Sequence, residues 1–273
     1  MDLIIIKLGG SAITNKYEKG KMKINKEILY NISTILSKIY IDHQLILIHG
    51  TGSFGHRNAI RYLKNKEINK KTNFEQYKYI ILSRKNIFDL NNKIMKILWN
   101  FRLPAISLFP SSFLSTEEDE IKNFDLEIIS QLLILGFIPV IHGDWAFDKK
   151  SQFSIISSDK LTSYLAINLK ATRVIMISDT DGIYSEIEKN KKQIIRFIDK
   201  NNIDIVLNNL KKENDMKDAT GGIYGKLIEM LKISKFGIPS ILVNGSNKKS
   251  IIDAIEGKNL DNLLGTIVKP YTI

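Results

Sequence analysis

The chain has 273 residues, and its 40 Lys and Arg against 29 Asp and Glu give a formal net charge of +11. The length allows one large or two medium domains with a full core, and a hydrophobic fraction of 44% is typical of a globular rather than a disordered protein. The absence of cysteine excludes disulfides, thiolate-bound zinc, iron–sulfur centres and a cysteine nucleophile.

The apolar runs are short. The longest, such as residues 45–48 and 138–141, have the length of strands, so we expect no transmembrane helix. Sequence that carries motifs begins almost at the N-terminus, after the acidic Asp2, which argues against a cleaved signal peptide and favours a cytoplasmic protein.

The charge of +11 favours an anionic partner, but a composition rich in Lys and Asn, as at 189–192, explains most of it as background. We therefore expect neither nucleic acid nor a membrane as a partner. The remaining question is whether particular lysines stand where a small anion binds.

The predicted elements alternate between strands and helices. In chain order the first half contains strand 3–8, a helix capped by Asn25, strand 45–48, a helix in the second half of 58–100, strand 105–108, helix 125–135 and strand 138–141. After a polar stretch follow helix 159–169, strand 174–177, helix 222–235, strand 240–243, a short helix 251–255 and strand 265–268. Repeated βα units predict one continuous α/β fold, with a mainly parallel sheet between helices and a seam near residues 170–180.

Glycine-rich loops follow several of these strands. In open α/β sheets, ligands bind at the carboxyl ends of the strands. Glycine lets the backbone approach an anion closely and exposes its N–H groups, so several such loops on one edge predict a polyphosphate site. The loops are Gly9-Gly10-Ser11, Gly50-Thr51-Gly52-Ser53, Gly143-Asp144, Asp179 to Gly182, and Asn244-Gly245.

Familiar nucleotide motifs fit poorly. Residues 50–55 match G-x-G-x-x-G, but they follow the second strand, and no acidic residue for a ribose stands at 70–73, which disfavours a nicotinamide enzyme. Residues 220–227 fail the P-loop pattern, because Thr220 replaces a required Gly and Leu227 replaces the Ser or Thr that binds Mg²⁺. The four histidines show no metal-binding spacing, and no G-x-S-x-G elbow occurs.

The distinctive motifs, taken in order, resemble those of the amino acid kinase superfamily and, within it, of the isopentenyl phosphate kinases, over residues 3 to about 266. They are Lys7-Leu8-Gly9-Gly10-Ser11 with Lys16, His-Gly-Thr-Gly-Ser-Phe-Gly-His at 49–56, Pro104 to Phe113, Ile141-His142-Gly143-Asp144, Ser157-Ser158-Asp159, Asp179-Thr180-Asp181-Gly182, and Gly221-Gly222 with Gly225-Lys226.

The resemblance implies a three-layer αβα sandwich, as a single domain over 1–273 that forms a homodimer. Its N-terminal lobe, about 1–170, would bind the phosphate acceptor, and its C-terminal lobe, about 171–273, would bind ATP. The implied reaction is ATP-dependent phosphorylation of isopentenyl phosphate to isopentenyl diphosphate, in the alternative mevalonate pathway of isoprenoid biosynthesis. Mg²⁺ is expected to bridge the ATP phosphates with few or no direct carboxylate ligands.

Three lysines take catalytic roles in this resemblance. Phosphoryl transfer depends on positioning and charge neutralisation rather than covalent chemistry. Lys7 would contact the transferring phosphate, Lys16 would stabilise the transition state from a flexible loop, and Lys226 would reach the ATP phosphates from the other lobe. A lysine within an apolar strand, like Lys7, is difficult to explain by packing, and Lys226 near a helix start opposes the helix dipole unless an anion is bound.

The other implied site residues divide between the two substrates. His56 would donate to the phosphate that the acceptor already carries, and Asp159 would organise the catalytic lysines. Thr51 and Ser158 stand near the acceptor phosphate, where the family commonly has smaller residues, so their side chains could narrow the site or add a hydroxyl donor. ATP would be bound by backbone donors of Gly9, Gly10, Ser11 and Gly52, and by Asp179, Tyr184 and Gly222 besides Lys7 and Lys226.

Two alternatives remain open at this point. One is a kinase of another small phosphate or phosphonate, such as fosfomycin, which shares the His-bearing motif. The other is a non-catalytic protein that binds nucleotides or nucleic acid, which would show salt-sensitive binding without turnover.

Overall fold

The structure is a computed structural model that describes residues 1–15, 22–68, 74–188, 191–214 and 222–271. None of the helices in these ranges combines the length and the hydropathy needed to span a bilayer. The helices are α1 (Gly10–Ile13), α2 (Lys26–Ile39), α3 (Gly52–Ile68), α4 (Phe74–Asn100), α5 (Glu127–Ile134), α6 (Ser158–Asn168), α7 (Ile203–Asn214), α8 (Gly222–Ser234) and α9 (Lys248–Glu256).

The strands form one large sheet, a four-stranded sheet and a hairpin. They are β1 (Asp2–Leu8), β2 (His43–His49), β3 (Ala105–Ser107), β4 (Leu114–Glu117), β5 (Glu120–Phe124), β6 (Ile138–His142), β7 (Asp144–Asp148), β8 (Gln152–Ile156), β9 (Arg173–Ser178), β10 (Tyr184–Glu188), β11 (Lys191–Ile194), β12 (Phe197–Ile198), β13 (Ser240–Asn244) and β14 (Thr266–Val268).

The large sheet has the order β12-β14-β13-β9-β1-β2-β6-β3. Its pairs are parallel except β13 with β14, so β1, β2, β6, β9 and β13 end at the same edge. The predicted mainly parallel sheet is confirmed. The glycine-rich loops that follow these strands therefore converge, as the sequence predicted.

Alternate residues of β1 pack into two different hydrophobic clusters, because successive side chains of a strand point to opposite faces. Ile4 and Ile6 join the cluster that contains side chains of α2, α4 and α9. Leu3 and Ile5 join the cluster that contains side chains of α5, α6, α7 and α8. Helices thus cover both faces, which confirms the three layers, and Lys7 shares the face of Ile5 that α6 and α8 cover.

Asn25 begins α2 as predicted, since its side chain accepts a hydrogen bond from Ile28 N–H. The largest differences from the sequence prediction lie in regions read as polar. Residues 52–68 form helix α3, although the sequence indicated helix only in the later part of 58–100. The stretch before α6 forms the hairpin β7–β8, which joins β4 and β5 in the second sheet, and residues 203–214 form α7.

The fully buried carboxylate of Asp148 fixes the β7–β8 turn to β4. It accepts hydrogen bonds from Lys150 and Ser151 N–H, from Asp119 N–H and from Thr116 Oγ1. Burial alone raises the pKa of Asp148, but these hydrogen bonds outweigh it and hold the pKa well below its ordinary value of 3.8.

Asp148→Ala is therefore expected to lower the free energy of unfolding at neutral pH by at least about 2 kcal/mol, because it leaves buried donors unpaired. A depressed carboxyl pKa stabilises the folded state above the ordinary value and ceases to do so as the pH falls through the folded-state value. The difference from wild type should thus shrink below about pH 4. Urea unfolding at several pH values measures it, with exposed Asp89→Ala as the control; a pH-independent difference would contradict the assignment.

Candidate functional site

A cleft of about 490 Å³ opens at the carboxyl edge of the large sheet. Every predicted site residue that the structure describes lines it, whereas Lys16 lies outside the described residues. Those lining it are Lys7, Gly9, Gly10, Ser11, Thr51, Gly52, His56, Ser158, Asp159, Asp179, Tyr184, Gly222 and Lys226.

Lys7 reaches the cleft from the C-terminal end of β1 and is only 3% exposed. Its Nζ lies 2.8 Å from Asp159 Oδ1, so a nearly buried ion pair forms the floor of the cleft. A lysine is buried to this extent only when its charge is paired. The register of β1 therefore explains both the burial of Lys7 and its partner.

Asp159 belongs to the first turn of α6, whose N-terminus is capped by the Ser157 side chain accepting from Lys160 N–H. Burial raises the pKa of Asp159, but the adjacent Lys7 and Lys226 outweigh this effect and hold the pKa below its ordinary value. Asp159 is thus a carboxylate placed between two lysines.

Lys226 comes from α8, is 8% exposed and interacts electrostatically with the same carboxylate. Burial first, and the positive charge of Lys7 second, lower the pKa of Lys226 to about 8, although Asp159 and Asp179 act in the opposite direction. A lowered lysine pKa means that its positive charge is poorly stabilised there. An anion bound beside Lys226 would relieve that deficit.

Two glycine loops meet backbone to backbone beside these lysines. A Cβ on Gly10 would lie 2.5 Å from Gly52 N, and a Cβ on Gly50 would lie 2.6 Å from Gly10 N. Gly52 has φ +46, in the left-handed region that favours glycine. Only glycines allow this approach, which brings the starts of α1 and α3 together.

The amide groups of these loops are not equivalent. Gly9 N–H donates to Ile177 O at 2.7 Å, so it is already engaged, and the backbone-donor role predicted for Gly9 does not fit this geometry. Gly10, Ser11 and Gly52 stand at helix starts, where N–H groups have no intrahelical acceptor. These three amides remain the ones suited to an anion.

One end of the cleft is apolar. Trp145 and Ile155 come from the β7–β8 hairpin, and Ile87 comes from α4. Behind them, Tyr62 packs edge-on against Trp145 with ring centroids 4.8 Å apart. The sequence prediction missed this hairpin. Its signal was a polar turn flanked on both sides by large side chains that alternate with smaller ones, Trp145 and Phe147 before the turn and Phe153 and Ile155 after it.

Thr51, His56 and Ser158 stand between this apolar end and the lysines, all on the lining of the cleft. Thr51 packs against α3, since a Cβ on Gly55 would lie 2.4 Å from Thr51 Oγ1. Ser158 is 7% exposed, and its carbonyl accepts from Thr162 Oγ1. Neither hydroxyl is drawn away from the cleft by a hydrogen bond to another described residue.

The opposite end of the cleft is polar and lies beside β9. Asp179 Oδ1 accepts from Ser11 Oγ at 2.7 Å, which joins the first glycine loop to the strand-end loop after β9. Tyr184 donates through its hydroxyl to Asp181 Oδ2 at 3.4 Å. Gly222 lies at the first residue of α8, with φ +51.

Within the described residues, no group of three or more His, Asp or Glu side chains is arranged to hold a metal ion. On the polar side of the cleft, the carboxylate of Asp179 is exposed, and carboxylate oxygens are ligands that Mg²⁺ accepts.

Known proteins share the sequence features and the fold of this chain. The profile of the Amino acid kinase family matches residues 2–244. The isopentenyl phosphate kinase of Methanocaldococcus jannaschii is 35% identical over 95% of this chain and 98% of its own length, and that of Methanothermobacter thermautotrophicus is 30% identical over 94% and 97%. A solved structure described as isopentenyl phosphate kinase aligns with a TM-score of 0.76 at 27% identity, covering 94% of this chain and 97% of that one.

Proposed function

The chain belongs to the amino acid kinase family, where it groups with the isopentenyl phosphate kinases, and we propose that it transfers the γ-phosphate of ATP to isopentenyl phosphate. The products are isopentenyl diphosphate and ADP. The observation that carries this proposal is the pair of nearly buried lysines, Lys7 and Lys226, which both interact electrostatically with Asp159 in a cleft with one polar and one apolar end.

The lysines fit a reaction between two phosphates. An acceptor phosphate and ATP repel each other, so the enzyme must bring positive charge to the point where they meet. Lys7 and Lys226 supply it, and Asp159 orients both ammonium groups. No nucleophilic side chain is required, because an oxygen of the acceptor phosphate attacks the γ-phosphorus while the bond to the β-phosphate oxygen breaks.

His56 and the apolar end favour a phosphorylated prenyl acceptor over one with a carboxylate. The imidazole of His56 lines the cleft and is a donor suited to a phosphate oxygen. Thr51 and Ser158 flank the same phosphate position, and Trp145 and Ile87 offer an apolar surface for a short hydrocarbon chain.

ATP is assigned to the polar end. The amides of Gly10, Ser11 and Gly52 face the phosphates, and Asp179, Tyr184 and Gly222 line the nucleotide side. Mg²⁺ fits this donor set as an ion carried mainly by phosphate oxygens, and when bound it neutralises charge on them. In this proposal the acceptor is bound by residues before about 170, and the nucleotide by residues after it, while the glycine loops of the first lobe donate to the ATP phosphates where the two lobes of the one domain meet.

A homodimer is part of this proposal. Apolar side chains on and just after α5 are exposed in the single chain: Ile128, Ile134, Leu135 and Phe137. Contact with a second copy would remove this surface from water. Light scattering on the purified protein distinguishes a dimer from a monomer.

The pH dependence of ATP use should report Lys226. Because its pKa is lowered to about 8, Lys226 loses its charge in the free enzyme as the pH rises through that value. kcat/KM for ATP is therefore expected to decline above about pH 8, since this ratio reports the ionisation of the free enzyme. Lys226→Arg should move the decline to higher pH, because a guanidinium stays protonated. A profile that stays flat up to the ordinary lysine pKa of 10.5 would exclude this role.

The acceptor is tested by comparing kcat/KM for isopentenyl phosphate, dimethylallyl phosphate, fosfomycin and glutamate with release of ADP as the readout. The prenyl phosphates are expected to be the best substrates. Preference for fosfomycin would support the phosphonate kinase alternative, and ATP binding without turnover on any acceptor would support the non-catalytic one.

A further inference from the structure

Two buried histidines that the proposed chemistry does not use lie directly beneath the cleft. His49 and His142 are the last residues of β2 and β6, and they are paired in the register of these parallel strands. They are 1% and 0% exposed, and their ring centroids are 5.2 Å apart. Each is followed by a glycine that lines the cleft, Gly50 and Gly143.

Both imidazoles make the same local contact. Nδ1 of His49 lies 3.1 Å from Gly50 O, and Nδ1 of His142 lies 3.1 Å from Gly143 O. A carbonyl oxygen can only accept a hydrogen bond, so Nδ1 must carry the proton in each ring. The geometry therefore selects one tautomer twice, at equivalent positions of adjacent strands.

The surroundings favour neutral rings. Burial lowers the pKa of His49 to about 3, with the neighbouring His142 acting in the same direction. Burial lowers the pKa of His142 to about 4, and the positive charge of Arg84 acts in the same direction, whereas the hydrogen bond to Gly143 O acts against them. A neutral ring that donates through Nδ1 has only a lone pair at Nε2, and among the described residues His142 Nε2 has no hydrogen-bond partner.

Asn91 meets the remaining nitrogen of His49. The amide of Asn91 contacts two groups. Its Oδ1 lies 3.3 Å from His49 Nε2, and its Nδ2 lies 2.8 Å from Ser107 Oγ. A lone pair at Nε2 requires a donor, so we assign the flipped amide of Asn91. Its NH₂ then donates to the ring, and its oxygen accepts from the Ser107 hydroxyl. Each hydrogen-bonding group in the series Gly50 O, His49, Asn91 and Ser107 then has a complementary partner.

The carbonyl groups that the two histidines contact, those of Gly50 and Gly143, belong to backbone that lines the cleft. In a planar trans peptide, fixing the Gly50 carbonyl also fixes the direction of the Thr51 N–H, which points the opposite way. Gly50 packs against Gly10, and a Cβ on Gly143 would lie 3.2 Å from Ser158 N. Glycine has the freest backbone of all residues, so these two peptides need an external restraint to keep one orientation.

We propose that His49 and His142 are positioning residues: as Nδ1-protonated imidazoles they fix the Gly50 and Gly143 peptides, and thereby the acceptor side of the cleft around Thr51 and Ser158. The inference rests on the proposed function for its kinetic consequence, whereas the tautomer itself can be tested without turnover.

The test compares His142→Asn with His142→Gln. The Asn amide nitrogen takes the place of Nδ1 and can still donate to Gly143 O, whereas the Gln amide extends to the place of Nε2. His142→Asn is expected to retain most of the wild-type kcat/KM for isopentenyl phosphate, and His142→Gln to lose about ten- to a hundredfold, the scale of a misplaced reacting group. KM for ATP should change little in either variant, and both should unfold at similar temperatures.

Equal losses in the two variants, or no loss in either, would overturn the proposal. Long-range ¹⁵N NMR of the histidine rings in the wild-type protein provides the second arm, which holds even if the variants fail to fold. Protonation on Nδ1 is expected for both buried rings, and protonation on Nε2 would overturn the assignment. If wild type itself shows no turnover, the proposed function fails while the NMR arm still decides the tautomer.

Discussion

Lys7→Met is expected to lower kcat by about 10²- to 10³-fold, the range found when one group that stabilises the charge of a transition state is removed. Methionine keeps the length and apolar contacts of the lysine stem, so the change removes mainly the ammonium group. Because the ion pair with Asp159 is nearly buried, the lysine meets the transferring phosphate in a poorly solvated site, where charge has its largest effect. Steady-state kinetics with saturating ATP and acceptor measure the change.

The matched control for this experiment is Lys258→Met. Lys258 forms an ion pair with Glu256 at 3.1 Å on the surface, and removal of such a pair has little effect. The control should keep wild-type kcat, and thermal unfolding should show that Lys7→Met remains folded. A folded Lys7→Met enzyme with nearly wild-type kcat would remove Lys7 from the catalytic centre.

His56→Ala is expected to lower kcat/KM for isopentenyl phosphate by about 10- to 100-fold, which corresponds to the loss of about 1.5–3 kcal/mol from a hydrogen bond to a charged group. KM for ATP should remain close to that of wild type, because the polar end of the cleft is assigned to the nucleotide. The asymmetry between the two substrates is the informative result, and initial rates over a matrix of both concentrations measure it.

His43→Ala serves as the control, since His43 begins β2 at the end of the strand away from the cleft. It should leave both kinetic constants unchanged. If His56→Ala weakened the use of ATP and of the acceptor equally, His56 would be a structural residue of α3 rather than a ligand of the acceptor phosphate.

The sequence predicted the large sheet and the convergence of its loops because buried parallel strands leave strong local signals. The apolar run of β1, interrupted only by Lys7, identified both a central strand and a lysine that packing does not explain. Parallel strands end at one edge, so the convergence of the glycine-rich loops followed from the order of the elements, whereas the meeting of Lys7, Asp159 and Lys226 was expected only from the family resemblance. That all three side chains lie on the same face of the sheet could be known only from the packing of α6 and α8 against β1.

The parts that were missed depend on contacts between distant residues. Helix α3 carries a weak apolar pattern within Lys- and Asn-rich sequence, so packing against α4 rather than local periodicity explains it. Trp145 reaches the cleft from a hairpin stabilised by the network around Asp148 and Thr116. The hydrogen bond from Gly9 N–H to Ile177 O likewise joins residues far apart in the chain, and no local sequence pattern predicts it.

The central claim is the transfer of phosphate from ATP to isopentenyl phosphate, and ³¹P NMR of the purified wild-type protein with both compounds and Mg²⁺ tests it most directly. The expected result is the appearance of the coupled resonances of isopentenyl diphosphate in step with those of ADP, as the acceptor monophosphate signal disappears. An unchanged acceptor signal, or formation of inorganic phosphate and ADP without a diphosphate ester, would contradict it.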